Sequence, residues 1–242
     1  MIEFGIINLN IVPVRIKNNA KSEMISQLFF GEIIKIIKKE IKWSYVTSNI
    51  DNYSGWIRNH HYELLKNDEY LSLSNNKNMF AKHELIIKKK NYEITIPTGS
   101  LLSSLSFLKY SVKSQHNKPK KLKEIIYSFM NTPYLWGGKT KFGIDCSGLV
   151  QSIYKTQNIV LPRDAVDQCK VGFRVNNNFQ LGDLAFFGKD KRTINHVGLI
   201  MKNNNIVHAY GKVREDKLTN KGIQNDEEAK ITHKLIKVNR II

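Results

Sequence analysis

Cysteine is nearly missing from this sequence: its 242 residues include only Cys146 and Cys169. A chain so poor in cysteine is no disulfide scaffold. The sparse count fits a reducing compartment, where a lone thiol is more often buried or catalytic than structural. Long apolar runs are missing as well. Nowhere do about 18 apolar residues follow one another, so no membrane-spanning helix is expected. Met1-Ile2-Glu3-Phe4-Gly5 lacks a basic region leading into an apolar stretch. No signal peptide is legible there, and the expected compartment is the cytoplasm, with the cell envelope as the alternative. Acidic residues are outnumbered, 21 against 38 Lys and Arg, which gives a formal net charge of +17. Such an excess points first to a polyanion such as nucleic acid, an acidic membrane surface or cell wall. The lysines run from Lys17 to Lys237 without interleaved recognition residues, so they read as solvated surface and no nucleic-acid partner is expected. Disorder is disfavoured too, because 41% hydrophobic and 10% aromatic residues supply enough apolar surface to offset chain entropy.

What is present divides by periodicity. Up to Leu65, short apolar runs are broken by polar turns, as in Asn10 to Ile16, Gly31 to Ile37, Trp43 to Val46 and Gly55 to Ile57. This predicts a small antiparallel β barrel or sandwich over residues 1–66. Residues 67–116 repeat the character with Glu84 to Ile87, Tyr92 to Ile96 and the turn Pro97-Thr98-Gly99, a second small β unit. A polar segment from Lys113 to Lys123, containing Lys118-Pro119-Lys120-Lys121, is of the kind that joins domains. Beyond it, over 117–242, the period changes. Leu122, Ile125, Ile126 and Phe129 predict an amphipathic helix that Pro133 stops, and Cys146 to Gln157 predicts a second, capped by Asp145. Strands are expected at Asp183 to Phe187, His196 to Met201, Ile206 to Tyr210 and Ile231 to Val238. Helices followed by an antiparallel sheet make an α+β domain.

Cys146 stands at the first turn of its helix, where unpaired N–H groups and the helix dipole favour a thiolate. Gly137, Gly138 and Gly148 leave little bulk over the sulfur, and the N–H groups of that turn suit an oxyanion. A thiol nucleophile also needs a base and a polar group fixing the base's tautomer, which His196 and His208 can supply from adjacent strands. They share a face only if the hairpin between them has an odd loop or a bulge, and Asn203-Asn204-Asn205 suits a three-residue loop. Plainer readings stand beside each of these. A cysteine can be a small buried hydrophobe, and a strand histidine a satisfied core or surface residue; His60, His61, His83, His116 and His233 take that plain reading. A zinc site at Cys146, His196 and His208 lacks a closely spaced ligand pair, so no metal and no cofactor is expected.

The runs Pro133-Tyr134-Leu135-Trp136-Gly137-Gly138, Gly143-Ile144-Asp145-Cys146-Ser147-Gly148-Leu149-Val150, Leu161-Pro162-Arg163, Gly182-Asp183-Leu184, Asn195-His196-Val197-Gly198 and Val207-His208-Ala209 resemble, in order and spacing, the NlpC/P60 peptidase family. The resemblance covers roughly the last half of the chain. It implies a papain-like catalytic domain that cuts peptidoglycan stem peptides between γ-D-glutamate and a diamino acid. Cys146 would be nucleophile, His196 general base and acid, and His208 the group orienting His196. The front half is similar to bacterial SH3 domains, through Val12-Pro13-Val14-Arg15, Ser22-Glu23-Met24, Phe30-Gly31-Glu32, Trp43 and Tyr53-Ser54-Gly55-Trp56-Ile57. Small SH3-like barrels ahead of such a peptidase resemble the muropeptide-recycling branch, whose substrates carry a free N-terminal L-alanine. By that resemblance Tyr134, Asp145 and Ser147 help hold the substrate and Asp164 meets its amine. Ala165 replaces a frequent serine, while Glu23 and Tyr53 close the amine end of the cleft. Plainer roles remain: helix caps for Asp145 and Asp164, and core packing for Tyr134 and Trp136. The rival reading is a protein that grips cell wall or another polyanion with an inactive peptidase-like domain. The expected partners are peptidoglycan-derived peptides, and Cys169 has no assigned role.

Overall fold

A computed structural model describes residues 3–113, 121–190, 193–225, 227 and 229–241. Most of the expected joining segment, including the 116/117 boundary and His116, lies outside the described residues. Two compact units emerge. One takes the described residues up to 113 with Trp136–Gly138 and Tyr154–Val160; the other takes 121–135, 139–153 and 161–241.

In the first unit, β1 (Glu3–Ile6), β2 (Ile11–Arg15), β3 (Met24–Phe29), β4 (Ile33–Lys39), β5 (Trp43–Ser48), β6 (Ser54–Arg58) and β7 (Glu63–Leu65) form an antiparallel sheet of order β3-β2-β6-β5-β4-β1-β7. Alternation chooses the buried face: Val12, Val14, Leu28, Ile34, Val46 and Ile57 make one core. Helix α1 (Asn67–Ser74) and a second sheet of β8 (Leu85–Lys89), β9 (Tyr92–Ile96) and β10 (Ser111–Val112) follow. Leu73, Leu85, Ile87 and Ile96 share a core with Ile6, Phe30 and Leu65 of the first stretch. A buried ion pair, Lys155 Nζ to Glu32 Oε1 at 2.6 Å, also belongs to this unit.

The second unit opens with α2 (Leu122–Tyr127), which buries Ile125 and Ile126 and ends before the expected Phe129, since Asn131 has a left-handed φ of 62° and Pro133 lies just beyond. A short hairpin, β11 (Lys139–Thr140) and β12 (Gly143–Ile144), leads into α3 (Cys146–Lys155), and α4 (Ala165–Gln168) follows. Then come β13 (Phe173–Val175), β14 (Leu184–Gly188), β15 (Ile194–Ile200), β16 (Asn205–Tyr210), β17 (Lys212–Leu218), β18 (Gly222–Asn225) and β19 (Lys230–Arg240). Sheet order is β13-β19-β14-β15-β16-β17-β18, and β18 also pairs with β19, so strands β14 to β19 close on themselves. Each contributes to one core: Ala185, Phe187, Ile200, Ile206, Leu218, Ile223 and Val238. The α+β class expected from periodicity is the class found. Among the described residues no helix is long and apolar enough to cross a membrane.

Candidate active site

Cys146 is the first residue of α3, and it is held there by the residue before it. Asp145 Oδ1 accepts the Gly148 N–H at 2.7 Å, an N-cap that satisfies one of the turn's orphan donors. The same carboxylate forms a buried ion pair with Arg163, whose Nη1 also donates to Ser147 Oγ at 2.7 Å. A turn that would otherwise fray is thus locked on both sides of the sulfur. Backbone N–H groups of Val197 and Ser147 hydrogen-bond the sulfur, which sets it against the peptide that follows His196.

His196 and His208 are brought together by register. Gly198 pairs with His208 across β15 and β16, so His196, two residues earlier on the same face, lies diagonal to it. The turn is Lys202 to Asn204, one residue earlier than expected, closed by Met201 N–H to Asn205 O at 2.7 Å, with Asn203 and Asn204 at φ 60° and 56°. His196 Nε2 lies 2.8 Å from His208 Nδ1, with the rings nearly perpendicular at 87°. The chain of contacts then continues past the residues expected from sequence. His208 Nε2 lies 2.9 Å from Asp216 Oδ2, and Arg214 binds the same carboxylate through Nε at 2.8 Å and Nη2 at 3.0 Å.

This chain fixes the protons. A carboxylate only accepts, so His208 carries a hydrogen on Nε2; in the tautomer with that single hydrogen, Nδ1 offers its lone pair to His196. His196 must then donate from Nε2, which leaves its own lone pair on Nδ1, free to serve as base. Burial, with His208 and His233 beside it, holds the His196 pKa well below 6.5, so the ring is neutral at pH 7. Burial raises the Asp216 carboxyl, but the hydrogen bonds from His208 and Arg214 outweigh it and the net direction is down.

Cys146 departs from expectation in one respect. Burial, aided by the Asp145 carboxylate, pushes its pKa up to about 12 against the opposing Val197 N–H, Arg163 and Ser147 N–H. Desolvation of a residue only 6% exposed outweighs the helix terminus. At rest the pair is therefore a neutral thiol and a neutral imidazole.

Tyr134 follows α2 and is partly exposed; burial, then Cys146 and Asp145, raise its phenol to about 12, so it remains a donor at neutral pH. A cavity of about 620 Å³ opens on the His196 side, bordered by Tyr134, Tyr210, His233, Lys189 and Lys234. His233, read from sequence as an ordinary core or surface histidine, instead stacks on His196 with ring centroids 4.1 Å apart. Strand β19 places it there: His233 pairs with Ile223 of β18 and shares the face that carries the other two histidines. Asp164 precedes α4 and caps it through its backbone carbonyl, which accepts the Gln168 N–H at 2.9 Å. Glu23 and Tyr53 belong to the first unit, just ahead of β3 and β6 respectively. Trp136 and Gly137 are also in that unit; Gly137, at φ 76°, has the Met24 carbonyl where a Cβ would stand. Cys169 is a free, buried thiol whose Sγ donates to the Val166 carbonyl at 3.1 Å.

Two stretches of the chain match known protein families. Residues 131–230 match the NlpC/P60 family, and residues 14–61 match the bacterial dipeptidyl-peptidase Sh3 domain. The chain thus joins an NlpC/P60 domain to a bacterial SH3 domain. Over 223 residues it is 26% identical to a gamma-D-glutamyl-L-lysine dipeptidyl-peptidase of Bacillus cereus, covering 76% of this chain and 66% of the relative. A protein of the same name from Bacillus subtilis is 44% identical over 84 residues, 34% of this chain and 28% of the relative. The chain therefore spans just under two thirds of the first relative's length and under a third of the second's. The crystal structure of an NlpC/P60 family protein from Bacillus cereus shares the fold, with a TM-score of 0.74, 17% identity and coverage of 98% of this chain and 99% of that one.

Proposed function

We propose that the chain is a cysteine peptidase that hydrolyses the bond between γ-D-glutamate and a diamino acid in peptidoglycan stem peptides, acting on muropeptides with a free N-terminal L-alanine. The observation that carries the reading is the hydrogen-bonded series His196, His208, Asp216, which puts the His196 lone pair on Nδ1 while the Val197 N–H holds the Cys146 sulfur beside that residue. The Cys146 thiol gives its proton to Nδ1 as sulfur attacks the γ-glutamyl carbonyl. N–H groups of the α3 turn and the protonated Tyr134 phenol receive the oxyanion. The carbon–nitrogen bond breaks, the His196 imidazolium protonates the leaving amine, and water, deprotonated at Nδ1, then hydrolyses the thioester.

Asp145 keeps Ser147 and the nucleophile in place through Arg163, and Asp164 is the carboxylate for the substrate amine. The names of the two Bacillus relatives support this bond class. The test is mass spectrometry of L-Ala-γ-D-Glu-diamino acid tripeptides and their N-acetylated forms after incubation with wild type and Cys146→Ala. Expected is release of the diamino acid from the free peptides by wild type alone. Undiminished turnover by Cys146→Ala would refute the nucleophile, and equal cleavage of acetylated peptides would refute the free-amine requirement. Glu23→Gln and Tyr53→Phe in the same assay test whether those residues contribute to that requirement.

A further inference from the structure

We propose that His196, His208 and His233 form a binding site for a divalent transition-metal ion of the zinc type, and that occupancy switches the catalytic pair off. The switching rests on the peptidase reading; the binding does not. One ring nitrogen from each histidine lies within 4.8 Å of the others. The rings come from β15, β16 and β19, three strands of one closed sheet, so a rigid frame sets their spacing.

One of the three is already arranged as a metal ligand. His208 gives Nε2–H to the Asp216 carboxylate, the outer contact that fixes a ligating imidazole and raises its basicity, and Arg214 anchors that carboxylate in turn. His208 Nδ1 is left facing His196 Nε2 at 2.8 Å. Zinc binds imidazole nitrogen at about 2.0–2.1 Å in a tetrahedral shell, which spaces ligand nitrogens about 3.3 Å apart. Closure around the ion therefore asks the tight pair to open by about 0.5 Å and the half-buried His233 to swing inward. The adjoining cavity gives solvent access for a fourth ligand. Its described lining includes Lys189 and Lys234 and no carboxylate, so attraction of charge contributes nothing. Affinity must come from imidazole ligation, which favours Zn²⁺ over the oxygen-seeking Mg²⁺ and Ca²⁺.

The consequence for catalysis follows from the tautomer. A metal on His196 Nε2 takes the lone pair that appears there when the ring's single proton moves to Nδ1. That nitrogen is the one that must accept the thiol proton. No proton is gained or lost by the ring, yet the base is occupied.

The experiment is calorimetric titration with Zn²⁺, and visible absorption with Co²⁺, on the full chain carrying Cys146→Ala so that sulfur cannot ligate. Expected is a single site with the absorption of tetrahedral cobalt. Affinity should fall about 10- to 100-fold with Asp216→Asn and at least as far with His233→Gln, while His60→Gln with His61→Gln leaves it unchanged. Absence of stoichiometric binding, or binding by His233→Gln as tight as the parent's, overturns the site. In the intact chain, Zn²⁺ should stop tripeptide hydrolysis and a chelator restore it. A chain that binds metal but cleaves no peptide refutes only the peptidase reading. A chain that cleaves peptide and binds no metal refutes only the metal site.

Discussion

Two arginine–carboxylate pairs flank the candidate site, Arg163 with Asp145 at the cysteine end and Arg214 with Asp216 at the histidine end, and they serve different ends. The first is almost wholly buried, with 2% and 4% of the side chains exposed, and it also reaches the Gly148 N–H and the Ser147 hydroxyl of the α3 turn. It holds geometry. The second is more open at Arg214, and its carboxylate spends a lone pair on an imidazole N–H. It holds protons. The same two residue types thus position a nucleophile in one place and select a tautomer in the other, and burial together with the third partner makes the difference.

Breaking each pair should give different symptoms. Arg163→Met strands the Asp145 carboxylate in the interior, and a loss of about 3–5 kcal/mol in chemical denaturation is expected. A loss below about 1 kcal/mol would mean the first pair is not structural. Asp216→Asn should leave denaturation within about 1–2 kcal/mol of wild type but lower kcat by about 10²-fold or more, because an amide can donate to His208 and invert both tautomers. Should kcat hold while stability collapses, the contrast between the two ends is wrong.

The pH dependence is a smaller effect and sharpens the same contrast. His196 must be neutral to act, and its pKa is lowered, so kcat/KM should persist as pH falls through 6.5 and decline only below it. Because the unfolded chain takes up this proton near 6.5 while the folded chain resists it, stability should fall as pH drops from 6.5 toward the lowered pKa, the interval in which kcat/KM still holds. Cys146, raised to about 12, should react with iodoacetamide slowly at pH 7 and faster with each unit up to pH 10. A plateau near neutral pH would reveal a preformed thiolate and remove the neutral-pair description.

Much of the fold and part of this site were legible in the sequence, for stated physical reasons. Alternation located β2, β14, β15 and β16, and the Asp145 cap located the start of α3, because both signals are local. The odd Asn-rich turn allowed His196 and His208 to share a face. Asp216 was missed because it lies in Arg214-Glu215-Asp216-Lys217, a charge run that reads as solvated surface. The available signal was Gly211, at φ 66° between Tyr210 and Lys212, which folds β17 back so that Arg214 pairs with His208. Asp216 then falls two residues along on the same face. For His233 no local signal existed: its neighbours His196 and Ile223 sit on other strands, and only closure of the sheet brings β19 to them. The direction of the Cys146 shift was likewise invisible, since a helix start announces a dipole but not the depth of burial that opposes it.

The central claim is the direction of the hydrogen bonds from Asp216 to His196, and nitrogen-15 NMR of the imidazole rings at pH 7 reads it directly. Expected is hydrogen on Nε2 and a bare Nδ1 in both rings. A hydrogen on Nδ1 of either ring would contradict it.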